Sequence, residues 1–184
     1  MSCLYVISGS SGVGKGTVIR EFLSRHSDFK LSVSCTTRNP RPKEIDGKDY
    51  FFVSKEAFEE YIKNDEFLEW AEFSGNFYGT RKKFVQDCLN NGENVILEID
   101  TQGAFQIKEK MPEAVLIFML PPSFEILEQR LRNRKTETEE AIQKRLAQVK
   151  REMECSYKFD YNLENDTIEN AVQALEEITN AKTI

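Results

Sequence analysis

A glycine-rich stretch near the start of the chain, residues 9–17 with the sequence GSSGVGKGT, constrains the fold more than any other part of the sequence. It follows an apolar run at residues 4–7, which is typical of a buried strand. It precedes residues 18–23, whose apolar spacing favours a helix packed on a sheet. A strand, a glycine loop and a helix in this order are the context of a phosphate-binding loop. The sequence therefore predicts a nucleotide site here.

The glycines and the lysine of this loop have separate expected roles. Gly9, Gly12 and Gly14 are expected to adopt positive φ angles and to let backbone N–H groups approach an anion. The N-terminus of the following helix adds partial positive charge. Lys15 is expected to reach the outer phosphates of a nucleoside triphosphate. The alternative is a glycine turn without a ligand, which is disfavoured because the glycines, the lysine and their context agree.

The end of the loop departs from the common phosphate-loop pattern. That pattern places Ser or Thr directly after the lysine, where the hydroxyl helps to hold Mg²⁺. Here Gly16 follows Lys15, and the first hydroxyl is that of Thr17. We therefore expect Mg²⁺ to be held mainly through phosphates and water. The site would lie near Thr17 and near Asp100, which ends a later apolar strand.

Length and composition limit the classes of protein to which the chain can belong. Its 184 residues suit one domain, and its net charge of −6 argues against general nucleic-acid binding. No apolar run approaches membrane-spanning length, and the apolar start is too short for a signal peptide. The four cysteines are Cys3, Cys35, Cys88 and Cys155, and none of them forms a Cys-x-x-Cys pair. This spacing predicts neither a zinc site nor a disulfide scaffold, and it fits a reducing cytoplasm.

Apolar strands alternate with amphipathic helices along most of the chain. This order predicts an α/β fold in which a parallel sheet is flanked by helices and ligands collect at the carboxyl ends of the strands. Strands are expected at residues 4–7, 30–34, 50–53, 67–73, 95–100, 114–120 and 161–163. Helices are expected at residues 18–23, 55–63, 82–90, 102–110, 124–134, 139–155 and 168–181, with caps at Ser54 and Gly92.

A long segment with two prolines and a glycine, residues 35–47, is expected to be irregular rather than helix or central strand. Loops of this length inside a compact domain are usually functional. Arg38 and Arg41 lie on this loop, and the arginine fork suits the oxygens of a phosphate. The alternative, that both arginines only solvate a loop, stays open at this point.

A carboxylate stands on the apolar face of the strand at residues 67–73. Strict alternation places Glu69 on the same face as Phe67 and Phe73. A carboxylate there lies either at a sheet edge or opposite a hydrogen-bonding ligand. The next residues, 74–80, are expected to form a turn-rich connection that carries Tyr78 and Thr80.

Positive charge is concentrated in a predicted helical hairpin late in the chain. Residues 128–151 contain eight Lys or Arg against four Asp or Glu, a net charge of +4 inside a chain of net charge −6. This contrast predicts a mobile flap that closes over a polyphosphate. A solvated helical hairpin is the alternative.

Taken together, these motifs resemble those of the guanylate kinase family over nearly the full length of the chain. The block in the first half is more specific than the phosphate loop, which many families share. After the glycine loop, the motifs are SCTTRxxR at residues 34–41 with Glu44, Gly47, Asp49 and Tyr50, FLEW at 67–70, GNxYG at 75–79, IDxQG at 99–103, PPS at 121–123, RLxxR at 130–134, TET at 136–138, RL at 145–146 and ND at 165–166.

The resemblance implies phosphoryl transfer from ATP to GMP or dGMP, which gives ADP and GDP (or dGDP) and uses Mg²⁺. It implies that the GMP phosphate is held by Arg38, Arg41, Tyr50 and Tyr78, and guanine by Ser34, Glu69, Thr80 and Asp100. It implies ATP binding by Gly9, Ser10, Ser11, Gly12, Val13, Gly14, Lys15, Gly16, Thr17 and Asn165. The residues expected to act on the transferring phosphoryl group are Lys15, Arg38, Arg130, Arg134 and Arg145.

The resemblance also implies one guanylate kinase-like domain with two closing parts and no nucleic-acid or membrane partner. The core would comprise residues 1–33, 81–123 and 156–184, with a β-rich GMP-binding insert at 34–80 and a helical lid at 124–155. The oligomeric state stays open.

Two residues depart from the family pattern and two other functions stay open. Glu98 stands where the family commonly has Asp, and Lys135 where Gly is common. One alternative function is a guanylate kinase-like module that binds phosphorylated peptides without catalysis, against which the intact phosphate loop argues. The other is a related kinase with a different phosphorylated acceptor, against which Glu69 and Ser34 argue.

Overall fold

The computed structural model describes residues 2–10, 12–133 and 139–181. The strands of these residues are β1 (Leu4–Gly9), β2 (Phe29–Leu31), β3 (Cys35–Thr36), β4 (Phe51–Phe52), β5 (Phe67–Phe73), β6 (Asn76–Arg81), β7 (Asn94–Glu98), β8 (Val115–Leu120) and β9 (Tyr161–Glu164). Their α-helices are α1 (Lys15–Arg25), α2 (Lys55–Lys63), α3 (Lys82–Asn90), α4 (Thr101–Lys110), α5 (Phe124–Asn133), α6 (Glu139–Glu154) and α7 (Ile168–Ala181).

Five parallel strands form the central sheet in the order β2-β7-β1-β8-β9. Every residue of β1 is buried, as is usual where helices cover both faces of a parallel sheet. The predicted α/β fold with a helix-flanked parallel sheet is therefore confirmed. Because β1 lies between β7 and β8, the loops that follow these three strands meet at one edge of the sheet.

The two faces of the sheet bury two separate apolar clusters. Tyr5 and Ile7 of β1 point to the side covered by α1 and α7, where Phe22 is fully buried. Leu4 and Val6 point to the opposite side, which α3 and α4 cover. This alternation along one strand is what a two-sided core requires.

A second, smaller sheet is built from residues between α1 and α3. Its strand order is β4-β3-β6-β5, with β3 and β4 parallel and the other neighbours antiparallel. Phe58 of α2 is fully buried against it and stacks on Phe67, with ring centroids 4.4 Å apart, and on Phe77, with centroids 5.5 Å apart. The aromatic stack joins α2 to the sheet.

Two sequence predictions in this region are wrong. Cys35 and Thr36 form an interior strand, although the segment from residue 35 was expected to be irregular. Residues 76–81, which were expected to be a turn-rich connection, form β6. Only Ser74 and Gly75 make the turn, with φ angles of 52° and 75°. Both strands were missed because neither has an apolar pattern: β3 is held by pairing with the distant β6, and β6 is held by β5 across the two-residue turn.

A bulge in β5 changes the side to which Glu69 points. Phe67 pairs with Arg81 and Glu69 with Thr80, so Leu68 is an extra residue in the ladder. Phe67 therefore packs on the α2 side, and Glu69 points to the opposite side. The prediction that Glu69 shares a face with Phe67 is wrong, because strict alternation does not hold across a bulge.

Helices with clear local signals have the predicted bounds. α2, α3 and α7 begin and end at the expected residues. The Ser54 hydroxyl caps α2 by accepting a hydrogen bond from Ala57 N at 3.1 Å, and Gly92 follows α3 with a φ of 79°. Among the described residues, no helix is both long and apolar enough to cross a membrane.

The two helices α5 and α6 share a small core of their own. It consists of Leu127, Ile142, Leu146 and Val149, with Phe124 and Met153 against it. Arg132 is neutralised within this hairpin, because its guanidinium pairs with Glu128 and Glu139. Part of the positive charge of the hairpin is therefore used in ion pairs within the hairpin itself.

We expect Phe58→Ala to lower the free energy of unfolding by about 3–5 kcal/mol, because it removes a fully buried ring from the stack. Phe84→Ala is the control, since that ring is 37% exposed, and it should cost about 1 kcal/mol or less. Urea unfolding measures both values. Equal losses in the two variants would contradict the proposed importance of the stack.

Candidate functional site

A cleft of about 550 Å³ opens at the carboxyl edge of the central sheet. The glycine loop and β7 lie on one side, the small sheet lies on another, and α6 contributes Gln148 and Glu152. The predicted site residues that line it are Gly9, Lys15, Ser34, Tyr50, Glu69, Tyr78 and Asp100. The fold therefore brings predicted ATP-binding and GMP-binding residues to one cavity.

The glycines of the loop have the expected conformations. Gly9, Gly12 and Gly14 have φ angles of 147°, 88° and 101°. A Cβ on Gly9 would lie 2.5 Å from the carbonyl oxygen of Met119 in β8, so a side chain has no room there. Gly14 precedes α1 and provides no side-chain cap, which leaves the helix N-terminus to a ligand.

Lys15 is folded back across the loop. Its ammonium donates hydrogen bonds to the carbonyl oxygens of Gly9 and, at 3.4 Å, of Ser10. Burial lowers the pKa of Lys15, while the negative charges of Glu98, Glu152 and Asp100 oppose this effect. A cation therefore lies at the centre of the phosphate loop with several carboxylates around it.

Asn165 supports the loop from the end of β9. Its amide donates a hydrogen bond to Val13 O at 2.7 Å, and its backbone N–H donates to Leu120 O at 2.8 Å. The residue is 6% exposed. Asn165, which was predicted to bind ATP, therefore makes contacts that fix the loop to the sheet.

Near the end of the phosphate loop lie side-chain oxygen atoms of the kind that coordinate a hard cation. Asp100 and Glu98 line the cleft beside Lys15, and the Thr17 hydroxyl accepts a hydrogen bond from Arg20 at 3.4 Å. A Cβ on Gly16 would lie 3.4 Å from a Glu98 carboxylate oxygen. Within the described residues no cluster of three His, Cys, Asp or Glu could hold a metal. These donors fit a Mg²⁺ ion that keeps most of its ligands as water and phosphate.

Arg38 is held in place by Glu44. The two form a bidentate pair with N–O distances of 2.9 and 3.0 Å, and Glu44 also accepts a hydrogen bond from the backbone N–H of Arg41 at 2.7 Å. The guanidinium lies over the rings of Tyr50, at 5.2 Å, and Phe52, at 5.7 Å. An arginine fixed in this way lies beside the adjacent rings of Tyr50 and Tyr78 and keeps N–H donors that the pair with Glu44 does not use.

Glu69 is a buried carboxylate with one partner. It is 5% exposed, and the Thr80 hydroxyl donates a hydrogen bond to it at 2.7 Å. Burial raises the pKa of Glu69 to about 7, which the hydrogen bond from Thr80 partly opposes. Its other oxygen faces Gly103 at the start of α4, where Asp100 caps the helix by accepting from Gly103 N at 2.7 Å. Two carboxylates therefore present acceptors to one corner of the cleft.

Some predicted residues lie outside the part of the chain that the structure describes. They are Ser11, Arg134 and Lys135, the last of which differs from the family pattern. The side chains of Arg130 and Arg145 also lie outside it. Arg41 is exposed, and Ser34 is half-buried in the cleft. The predicted gathering of lid arginines at the loop stays a prediction.

Two residues at the site had no role in the sequence prediction. Glu44 was noticed only as part of a motif, although its spacing from Arg38 and Arg41 in a proline-bounded loop could have indicated an ion pair. Glu152 gave no signal, because only the packing of α6 over the sheet brings it to the phosphate loop.

A phosphate loop opposite a pocket of arginine, tyrosines and carboxylates defines the class as a phosphate-loop kinase. The family model for guanylate kinase matches residues 1–182. The chain is 50% identical to the guanylate kinase of Gloeobacter violaceus, covering 97% of this chain and 87% of the other, and 51% identical to that of Prochlorococcus marinus (strain NATL2A), covering 94% and 93%. The chain belongs to the guanylate kinase family.

Solved structures agree with this assignment. The guanylate kinase of Anaplasma phagocytophilum superposes with a TM-score of 0.79 at 35% identity, covering 98% of this chain and 86% of that one. A shikimate kinase from Bacteroides thetaiotaomicron has a TM-score of 0.52 at 16% identity, covering 97% and 98%. The second likeness concerns the fold alone.

We expect Gly14→Ala to destabilise the protein more than Gly92→Ala. Both glycines have positive φ, but a Cβ at Gly14 would lie 2.6 Å from the Asn165 amide, whereas a Cβ at Gly92 meets nothing within 4 Å. Gly92→Ala should cost about 1 kcal/mol for the left-handed backbone alone, and Gly14→Ala about 2–4 kcal/mol. Thermal and urea unfolding compare them; equal costs would mean that Asn165 does not pack tightly on the loop.

Proposed function

We propose that the protein transfers the γ-phosphoryl group of ATP to GMP, giving ADP and GDP, and that it also accepts dGMP. Membership of the guanylate kinase family supports the reaction. The observation that carries the choice of acceptor is the buried Glu69–Thr80 pair in the same cleft as Lys15. Burial of an ionised carboxylate costs free energy unless a ligand with matching hydrogen-bond donors binds it.

The guanine edge has such donors. Its ring N–H and exocyclic amine lie side by side, and one ionised carboxylate accepts both, whereas adenine has an acceptor and no amine at these positions. An adenine at this point would leave Glu69 without its donors, so the site can reject it strongly. In this proposal Ser34 and Asp100 complete the base pocket.

Transfer requires alignment and charge stabilisation more than covalent chemistry. The GMP phosphate oxygen attacks the γ-phosphorus, so no side chain acts as nucleophile. Arg38, fixed by Glu44, would orient the attacking phosphate together with Tyr50 and Tyr78. Lys15 would stabilise the charge on the donor phosphates. Arg41, Arg130, Arg134 and Arg145 are proposed to complete this positive environment.

The proposed cofactor is Mg²⁺ bound with ATP. When bound, it would neutralise charge on the phosphate oxygens. Glu98, Asp100 and Thr17 are the residues of this chain that would hold its water ligands, since Gly16 provides no hydroxyl.

A cytoplasmic location is part of the proposal. Among the described residues, no disulfide joins the four cysteines, which fits a reducing compartment.

An assay of ADP release tests the function directly. Purified protein is mixed with ATP and Mg²⁺ and with GMP, dGMP, AMP, UMP or CMP, and Lys15→Ala serves as the inactive control. We expect turnover with GMP and dGMP and little with the other acceptors. No turnover with any nucleotide would favour a binding module, and preference for another acceptor would favour the related kinase.

We expect Glu44→Gln to raise the KM for GMP about tenfold while the KM for ATP stays within twofold. Loss of the charge-assisted fork frees Arg38 from the position in which it meets the phosphate. Steady-state kinetics with each substrate varied in turn measures both values. Glu72→Gln on the exposed side of β5 is the control. A rise in the KM for ATP alone would contradict the placement of Arg38.

We expect Glu69→Gln to lower kcat/KM for GMP by about 30- to 1000-fold, a cost of about 2–4 kcal/mol, because a donor then faces a guanine N–H. The KM for ATP should stay nearly constant, and AMP should not become a good substrate because Ser34 and Thr80 remain. A change in GMP kinetics of less than threefold would show that Glu69 does not read guanine.

The affinity for GMP should also depend on pH through Glu69. Its pKa of about 7 keeps part of the carboxyl protonated below neutrality, and guanine binds the ionised form. Affinity should therefore rise as the pH increases from about 5 to 8. The phosphate of GMP titrates near pH 6 as well, so Glu69→Gln is the control and should retain only that part of the pH dependence. Identical profiles would contradict the role of Glu69.

A further inference from the structure

Glu152 is a carboxylate in the cleft that the proposed reaction does not use. It lies near the end of α6, is half-buried, and lines the cleft that the phosphate loop also lines. One of its oxygens accepts a hydrogen bond from Gln148 at 2.9 Å. The other is buried and has no hydrogen-bond partner among the described residues. A buried charged oxygen without a partner is costly, so the position calls for an explanation.

The phosphate loop has a matching unsatisfied group. The Ser10 hydroxyl is buried without a hydrogen-bond partner among the described residues, and it lies close enough to Glu152 to lower the pKa of that carboxyl. The charge of Lys15 acts on Glu152 in the same sense, against burial, which raises that pKa. Glu152 in turn favours the charged form of Lys15. The carboxylate and the loop cation therefore stabilise each other across the cleft.

A nucleotide polyphosphate would need the same cation. Lys15 is the residue expected to reach the outer phosphates, and negative groups that share one cation in a cleft of low dielectric repel each other. A bound triphosphate therefore makes an ionised Glu152 less favourable at this place, and an ionised Glu152 weakens the binding of the triphosphate.

We propose that Glu152 is an anionic placeholder for the phosphate loop, which faces Lys15 across the nucleotide-free cleft and limits the affinity for the phosphate donor. The inference rests on the proposed function, because it takes ATP as the donor. It makes Glu152 a positioning residue that acts through Lys15, and its effect should grow with the number of phosphates. Displacement of Glu152 would also move α6, since the carboxylate belongs to that helix.

Calorimetric titration of ATP, ADP and AMP into the nucleotide-free protein tests this proposal. The variants are Glu152→Gln, which keeps the shape and the contact with Gln148, and Glu154→Gln, an equal charge change at an exposed position of the same helix. We expect Glu152→Gln to bind ATP about tenfold more tightly, with a smaller gain for ADP and almost none for AMP. Glu154→Gln should stay within twofold of the wild type.

Titrations with excess Mg²⁺ and with EDTA separate repulsion from metal binding. Repulsion predicts a larger gain for Glu152→Gln in EDTA, where the triphosphate carries its full charge. Weaker ATP binding by Glu152→Gln, or affinity within twofold of the wild type, would overturn the inference while leaving the proposed function intact. Absence of ATP binding by the wild-type protein would overturn the proposed function and the inference together.

A double-mutant cycle gives a measure that needs no nucleotide. The free energies of unfolding of Glu152→Gln, Lys15→Met and the double variant are compared with that of the wild type. A placeholder predicts favourable coupling between the two residues, and coupling of zero or of the opposite sign would overturn the inference. If Glu152→Gln failed to fold, Glu152→Ala, which also removes the charge, would replace it in the cycle.

Discussion

The contact between Gly9 and the Met119 carbonyl is the constraint on which the site depends. It lets β1 lie so close to β8 that a Cβ would be only 2.5 Å from that oxygen, and it fixes where the strand ends and the loop begins. Asn165, at the end of β9, then reaches the loop and bonds Val13 O. The position of Lys15 follows from this arrangement, because α1 begins directly after the loop. The geometry of a buried sheet edge thus determines the geometry of an anion site.

The sequence predicted best those elements whose signals are local. The bounds of α2 and α3 followed from an apolar period with a cap, Ser54 for one and Gly92 for the other. The strands β3 and β6 were missed because their residues carry little apolar alternation, and because the pairing that holds β3 in the sheet joins it to β6, far away in sequence.

The same distinction separates the predictable and unpredictable parts of the site. The loop glycines lie within one short stretch of sequence, so their motif predicts their conformations. Glu69 was predicted to lie on the apolar face of its strand, but its direction depends on the bulge at Leu68, and no single-strand pattern reveals a bulge. Glu152 lies more than one hundred residues from Lys15 in sequence, and only the packing of α6 brings the two charges together.

Charge balance explains why the cleft and the helical hairpin belong together. Lys15 lies among Glu98, Asp100 and Glu152, so a polyphosphate enters a region in which carboxylates already surround the available cation. Its charge must be compensated by a metal that arrives with it or by arginines from elsewhere in the chain. The hairpin, residues 128–151, carries a net charge of +4. Because phosphates add negative charge to the cleft, a bound polyphosphate would strengthen the attraction between the cleft and this positive hairpin.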